Sequence, residues 1–561
     1  MKRFRWQILI VVVTLAAVGA LLLTQKTPLN SVLPEAASGG IYTEALVGRF
    51  GRFNPLLDLG NEADRTVDRL IFSGLIRFDS DGIPQADLAE SWGVSADGTI
   101  YNFTIRPNAT WHDGQPVTSD DVIFTLSLLR TEYSAYSDDV RAMWDTVEIE
   151  KLDERNIKFI LPEPFAPFLD YLTFGVLPRH IYEIVAADQL QNTQFNLSPV
   201  GTGPYRFDHL IVENGEVAGV ALAVNPAYFG RVPYIEEIVF RYFPDSESAL
   251  QAYASGEVLG VSQISSSTIL EALGYPELSV YSSRMPRLSI VLMNLGDEEL
   301  PFFQVKAIRR ALLLALNRQG MVDTLLNGQA LVADSPLLPG TWAYFDGVEK
   351  IGFDPEAAVT LLRDAGYVLP TEGNVRVKDG VPLEFTLLHP DDAYHASLAR
   401  SIQANWLTIG VGVTLQAVPY ADLVADYLEP RSYQAALVDL DFSRAYDPDP
   451  YPFWHQAAIT EGQNYSQWDN RSASEFLEQA RVVADMDVRA RLYRNFQVIF
   501  ARELPALPVL FPTYSFGADV RVQGIQGYPS FEPADRFNII ARWFLLTRRS
   551  LEQTQQPEIT P

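Results

Sequence analysis

The hydrophobic pattern of the chain switches repeatedly between a period of two and a period near 3.6 residues. Ile41–Val47, following Gly39 and Gly40, reads as a first strand. After an Asp97-Gly98 turn, Tyr101, Phe103 and Ile105 alternate with Asn102 and Thr104, as in a half-buried strand. Trp111-His112-Asp113-Gly114 reads as another turn. Thr118 and Asp121 then precede the apolar run Val122, Ile123, Phe124, Leu126, Leu128 and Leu129, predicting a helix opened by a capping box. Residues 305–316 place Val305, Ile308, Leu312, Ala315 and Leu316 on one helical face. Asp354 and Pro355 supply an N-cap and a first-turn proline, Ala358, Leu361, Leu362 and Ala365 form the stripe, and Gly366 closes the helix. A helix over 397–409 buries Leu398, Ile402, Trp406 and Ile409, and Val411, Val413, Leu415 and Ala417 then alternate as a strand. Two further amphipathic helices are predicted over 475–485 and 488–503. Strands and helices intermixed in this way predict α/β lobes and exclude a propeller or an α-solenoid. No internal repeat is found.

One stretch departs from both periods. Lys2, Arg3 and Arg5 precede an apolar run from Trp6 to Thr24 that is long enough, at about 28 Å as a helix, to span a bilayer core. The basic flank assigns everything downstream to the far side of the membrane. Residues 1–24 are either a cleaved signal peptide or a retained signal anchor. Cleavage at Val18-Gly19-Ala20 would leave Leu21, Leu22 and Leu23 on the mature chain, which favours the anchor. Residues 25–38 read as a flexible tether and 549–561 as a disordered tail.

Composition narrows the function. With 43 Lys and Arg against 70 Asp and Glu, the formal net charge is −27. That sign argues against a nucleic-acid partner and against adhesion of the folded body to anionic lipid. The absence of cysteine excludes disulfides, thiol nucleophiles and thiolate-bound metal. Six histidines form no HExxH-type pair; His389 and His395 flank Asp391 and Asp392, read as an acidic surface loop with a metal site as the alternative. Gly201-Thr202-Gly203-Pro204 is a turn without the lysine of a phosphate cradle, and no GxSxG elbow is present. No catalytic, metal or cofactor site is therefore predicted. What remains is the stretch from Asp439 to Trp454, which gathers Asp441, Arg444, Tyr446 and Asp447 among prolines and further aromatics. Such a segment offers charge and ring faces together, as ligand clefts do, although an acidic surface loop has the same composition.

These residues carry a family resemblance. Leu88-Ala89-Glu90-Ser91-Trp92, the Trp111-His112-Asp113-Gly114-Gln115-Pro116 turn and Asp120-Asp121-Val122 fall in order along the chain. Val200-Gly201-Thr202-Gly203-Pro204-Tyr205, Ile308-Arg309-Arg310-Ala311, Asp354-Pro355-Glu356-Ala357, Ile402-Gln403-Ala404 and Trp468-Asp469-Asn470 continue the series. Together they resemble the solute-binding proteins of ABC transporters, family 5, the peptide and nickel class.

The resemblance implies a two-lobed, periplasmic-binding-protein-like α/β fold with mixed sheets, following the N-terminal segment. Lobe I would comprise 39–284 with a C-terminal return at 510–548, and lobe II 285–509. The crossings are expected near 284–294 and 507–514. The implied function is extracytoplasmic capture of a small solute, foremost an oligopeptide, by a monomer that delivers it to an ABC permease and its ATPase subunits. An oligosaccharide receptor, or a sensor or chaperone-like binder on the same fold, is the alternative. In peptide-binding members an aspartate just before the Pro-Asp-Pro-like segment takes the peptide ammonium; registering on Asp447-Pro448-Asp449 puts Arg444 there instead, with Asp441 and Asp447 three residues to either side. Arg49 and Phe50, just past the first strand, and Tyr514, beyond the second crossing, complete the expected substrate site. Trp342 is a cleft wall or core, and His112 structural.

Overall fold

The computed structural model describes residues 36–443, 445–526 and 531–546. The N-terminal apolar segment, residues 25–35 of the tether, Arg444 and the C-terminal tail lie outside the described residues. Among the described residues, no helix is long and apolar enough to cross a membrane.

The protein is two-lobed and built on one mixed sheet. Strands Gly412–Val418, Glu384–Pro390, Ala435–Asp441, Arg287–Met293, Ala506–Asp519, Gly260–Val261, Ile41–Val47, Glu237–Phe243, Glu216–Val224 and Tyr205–Glu213 are hydrogen-bonded neighbours in that order. Ile41–Val47 runs parallel to Glu237–Phe243, and Glu384–Pro390 parallel to Gly412–Val418, each parallel pair joined by intervening helical chain. The predicted strand at Tyr101–Ile105 is central to a separate four-stranded antiparallel sheet, burying Tyr101, Phe103 and Ile105 and exposing Asn102.

The apolar cores divide the molecule. One draws on residues from Tyr42 to Met285 and again from Tyr514 to Leu545, with Tyr446 reaching in from between; a smaller one runs from Ala45 to Leu278, and two others draw on Leu288 to Phe511. Strand Ala506–Asp519 serves both sides. Its first part pairs with Arg287–Met293, and its last seven residues pair with Leu278–Arg284. Only Met285 and Pro286 separate those two partner strands, so the sheet changes lobes within a few residues on both chains.

Several local expectations need adjustment at their ends. The helix expected at 397–409 is Ala393–Thr408, because Asp392 caps it by accepting the His395 N–H at 2.9 Å. The segment read as an acidic loop is thus a strand end and a helix start: His389 is buried in Glu384–Pro390, and His395 lies in the first turn. No metal-binding cluster occurs among the described residues. The helix expected at 475–485 is Arg471–Val482, begun by the Asn470 cap. The Thr118–Asp121 capping box forms as predicted.

The Gly201–Pro204 turn packs against the end of helix Glu62–Ile71. A Cβ on Gly201 would lie 1.9 Å from the Ile71 carbonyl oxygen, and one on Gly203 2.2 Å from that of Leu70. Glycine is required there by backbone approach. His112 clamps the same turn. Its Nδ1 accepts the Gly201 N–H at 3.2 Å, which leaves Nε2 protonated and donating to the Gly203 carbonyl at 3.1 Å.

Candidate functional site

Two cavities are candidates for the site, one of them at the junction of the lobes. The smaller, about 250 Å³, sits where the sheet changes lobes and is lined by Glu62, Gln263, Arg287, Gln329, Tyr394 and Tyr514, among others. Strand period two builds its charged wall. Arg287 and Ser289 share one face of their strand, directly opposite Asp441 and Asp439 on the neighbouring strand. Arg287 Nη2 pairs with Asp441 Oδ2 at 3.1 Å, and Ser289 Oγ donates to Asp439 Oδ1 at 2.6 Å. Burial works to raise the Asp441 pKa, but bonds from Ser443 and the Arg287 charge outweigh it and hold the carboxyl below its ordinary value. His395 Nε2 lies 3.4 Å from Asp439 Oδ1, and its Nδ1 2.6 Å from Asp392 Oδ2. Burial opposes protonation of this imidazole, yet the two carboxylates prevail and its pKa is raised.

The larger cavity, about 410 Å³, is walled mainly by lobe I and reached from lobe II by Tyr446. Tyr446 stacks on Phe78 with ring centroids 4.4 Å apart and planes within 8°. Its hydroxyl donates to Asp535 Oδ1 at 3.4 Å. Arg65 Nε pairs with Glu532 Oε2 at 2.9 Å, and Arg69 pairs with Glu532 and lies 3.6 Å from Asp535. Burial pushes the Asp535 carboxyl up to about 6, against the pull of Arg69. Asp68 is raised well above its ordinary value by burial and by its neighbours Asp58 and Asp64. The cavity volume is that of a small-ligand site, and its buried perturbed carboxyls accord with one.

Of the seven residues expected at a substrate site, the six that are described do not converge on one place. Tyr514 lines the smaller cavity, and its hydroxyl donates to the Ser262 carbonyl. Asp441 reaches that cavity's wall through Arg287. Tyr446 lines the larger cavity. Asp447 lines neither: it is buried in an ion pair with Arg489, whose Nη2 donates to Oδ1 at 2.8 Å. The Asp447 N–H donates to Asp170 Oδ2 of lobe I at 2.8 Å, so this residue ties the lobes together. Arg49 is exposed, its carbonyl accepting from Asn61 at 3.0 Å, and Phe50 packs on Phe53 and Tyr242. Arg444 lies outside the described residues. Trp342 lies under the Arg489 guanidinium at 5.0 Å, and its backbone N–H donates to the Asp81 carbonyl of lobe I at 3.3 Å.

Arg287, Glu62 and Gln329, and the Arg69–Glu532 pair, were not anticipated. The legible signal was Arg287, a charge opening the otherwise apolar strand 287–293 with Ser289 on the same face. The Arg69–Glu532 pair joins residues more than 400 positions apart and leaves no local pattern.

The model of bacterial extracellular solute-binding proteins, family 5 (middle region), matches residues 84–464. The oligopeptide-binding protein AppA of Bacillus subtilis is 25% identical over 515 residues, covering 90% of this chain and 92% of its own. The dipeptide-binding protein of Escherichia coli is 24% identical over 487 residues, covering 82% of this chain and 87% of its own. The crystal structure of CtaP, an ABC transporter substrate-binding protein of Listeria monocytogenes, superimposes with a TM-score of 0.73 at 25% identity, over 91% of this chain and 99% of its own.

Proposed function

This chain belongs to the bacterial extracellular solute-binding proteins of family 5, and on that premise we propose that it captures short peptides for an ABC importer. The solute enters between lobe I (39–284 with 510–548) and lobe II (285–509), and the lobes close by bending where the sheet changes lobes. The closed form is presented to a permease whose ATPase subunits drive uptake. The receptor acts as a monomer outside the cytoplasmic membrane, tethered where residues 1–24 are retained. The peptide class comes from the relatives, among them the oligopeptide-binding and dipeptide-binding proteins above.

The observation that carries this reading is the handover of strand Ala506–Asp519 from the cores of one lobe to that of the other, beside the smaller cavity, which both lobes line. A sheet that changes lobes within a few residues is a compact hinge, and hinge closure around a ligand is a standard transition of two-lobed binders. Within the segment 439–454, Asp441 is the acid offered to a peptide ammonium, since Asp447 is committed to Arg489.

A thermal-shift screen of residues 36–561 against di- to hexapeptides and oligosaccharides tests the proposal. A peptide present at 100 times its dissociation constant should stabilise the folded state by about 2.7 kcal/mol. Shifts with oligosaccharides alone would replace peptide by sugar as the solute, and the absence of any shift would remove the receptor reading.

A further inference from the structure

The larger cavity has an unusual charge for this molecule. In a chain with 43 basic and 70 acidic residues, six arginines and four carboxyl groups line it. Arg65 and Arg69 are taken by Glu532. The other four are not ion-paired to any carboxylate among the described residues. Arg77 donates to the Asn538 carbonyl at 3.4 Å, and Arg106 Nε donates to the Asp87 carbonyl at 2.6 Å. Arg231 donates to the Tyr234 hydroxyl and lies 5.0 Å over its ring. Arg542 is exposed and has no polar partner among the described residues.

Resting on the solute-receptor reading, we propose that the captured peptide is acidic, and that Arg77, Arg106, Arg231 and Arg542 take its side-chain carboxylates at the mouth of the larger cavity. Guanidinium groups match carboxylates with two parallel N–H donors, which makes arginine the residue suited to such a site. Asp87 is the acid set among them: burial raises its carboxyl to about 6, against the charges of Arg77, Arg69 and Arg106. Six guanidinium groups against four carboxyl groups leave the cavity lining with a positive charge at neutral pH. Phe229, under Arg106 at 5.6 Å, and Tyr228 beside it give the rest of the ligand an apolar wall. Elsewhere the strongly negative surface repels acidic solutes, so selection for them needs a local positive site.

Calorimetric titration of the folded chain with Asp-Ala-Asp, trialanine, Lys-Ala-Lys and succinate tests this at low and at physiological salt. The expected result is at least tenfold tighter binding of the acidic peptide than of trialanine, weakening as salt rises. Arg231→Gln combined with Arg542→Gln, both exposed, should cut that preference at least fivefold at unchanged melting temperature. Arg471→Gln, exposed at the start of helix Arg471–Val482 and outside the cavity lining, should leave it intact. Equal affinity for all three peptides, or a preference untouched by the double variant, overturns the acidic-ligand inference while the peptide receptor stands. Binding of succinate but of no peptide, lost in the double variant, removes the peptide reading and keeps the anion site. No binding of any probe overturns both.

Discussion

Asp441 and Asp447 are six residues apart, yet their surroundings assign them opposite work. Asp447 and Arg489 are both nearly fully buried, and Arg489 also donates to the Ala480 carbonyl at 2.8 Å. Removing one partner of such a pair strands a buried charge, so Arg489→Ala should cost about 3–5 kcal/mol in denaturant unfolding. The exposed Asp441–Arg287 pair should contribute no more than about 1 kcal/mol, so Asp441→Ala should alter peptide affinity with little change in stability. Two histidines set opposite pH trends. Burial lowers the His112 pKa to about 4, below its ordinary 6.5, so its contribution is present above pH 6.5 and is lost as pH falls towards 4. His395 has a raised pKa, so its contribution is present below about 6.5 and is lost as pH rises through the folded value. Unfolding measured across pH 4 to 9 should therefore lose its acid-side slope in His112→Asn and its alkaline-side slope in His395→Asn.

At the scale of elements, the sequence was most legible where the signal is local. The strand at 41–47, the alternating strand ending at Ile105, the Thr118–Asp121 capping box and the Asp354-Pro355 helix start all depend on neighbouring residues alone. The helix starts at Ala393 and Arg471 lie four residues before the apolar stripes show them, because neither first turn, Ala393–Ala396 or Arg471–Ser474, carries a large aliphatic residue and only the caps, Asp392 and Asn470, mark it. The Gly201–Pro204 turn was recognisable as a turn, but its reason, contact with the carbonyls ending helix Glu62–Ile71, is tertiary. Because backbone and not a movable side chain stands in the way, Gly201→Ala should destabilise by about 1–3 kcal/mol, read as a lowered midpoint in urea. The candidate site was less legible than the fold. Residues near Asp441 were found through a cluster of charges and rings, whereas the cavity walls combine helix Glu62–Ile71, residues 228–231 and residues 532–542, which meet only in three dimensions.

At the scale of the whole molecule, two lobes share a strand and meet again through Asp170–Asp447, Trp342–Asp81 and Tyr446–Phe78. A receptor that closes on its solute must make and break such contacts while the shared strand holds the lobes together. The family resemblance was visible as ordered motifs from Leu88 to Asn470, but the contacts that close the lobes follow from no motif. The most direct test is energy transfer between dyes on the two lobes. The chain has no cysteine, so Glu148→Cys in lobe I and Glu356→Cys in lobe II, both at exposed positions, can be labelled selectively. Titrating the labelled protein with short acidic peptides should produce a saturable change in transfer, with the peptide recovered intact. A flat signal across the titration, or cleavage of the peptide, would contradict a receptor that closes on its solute.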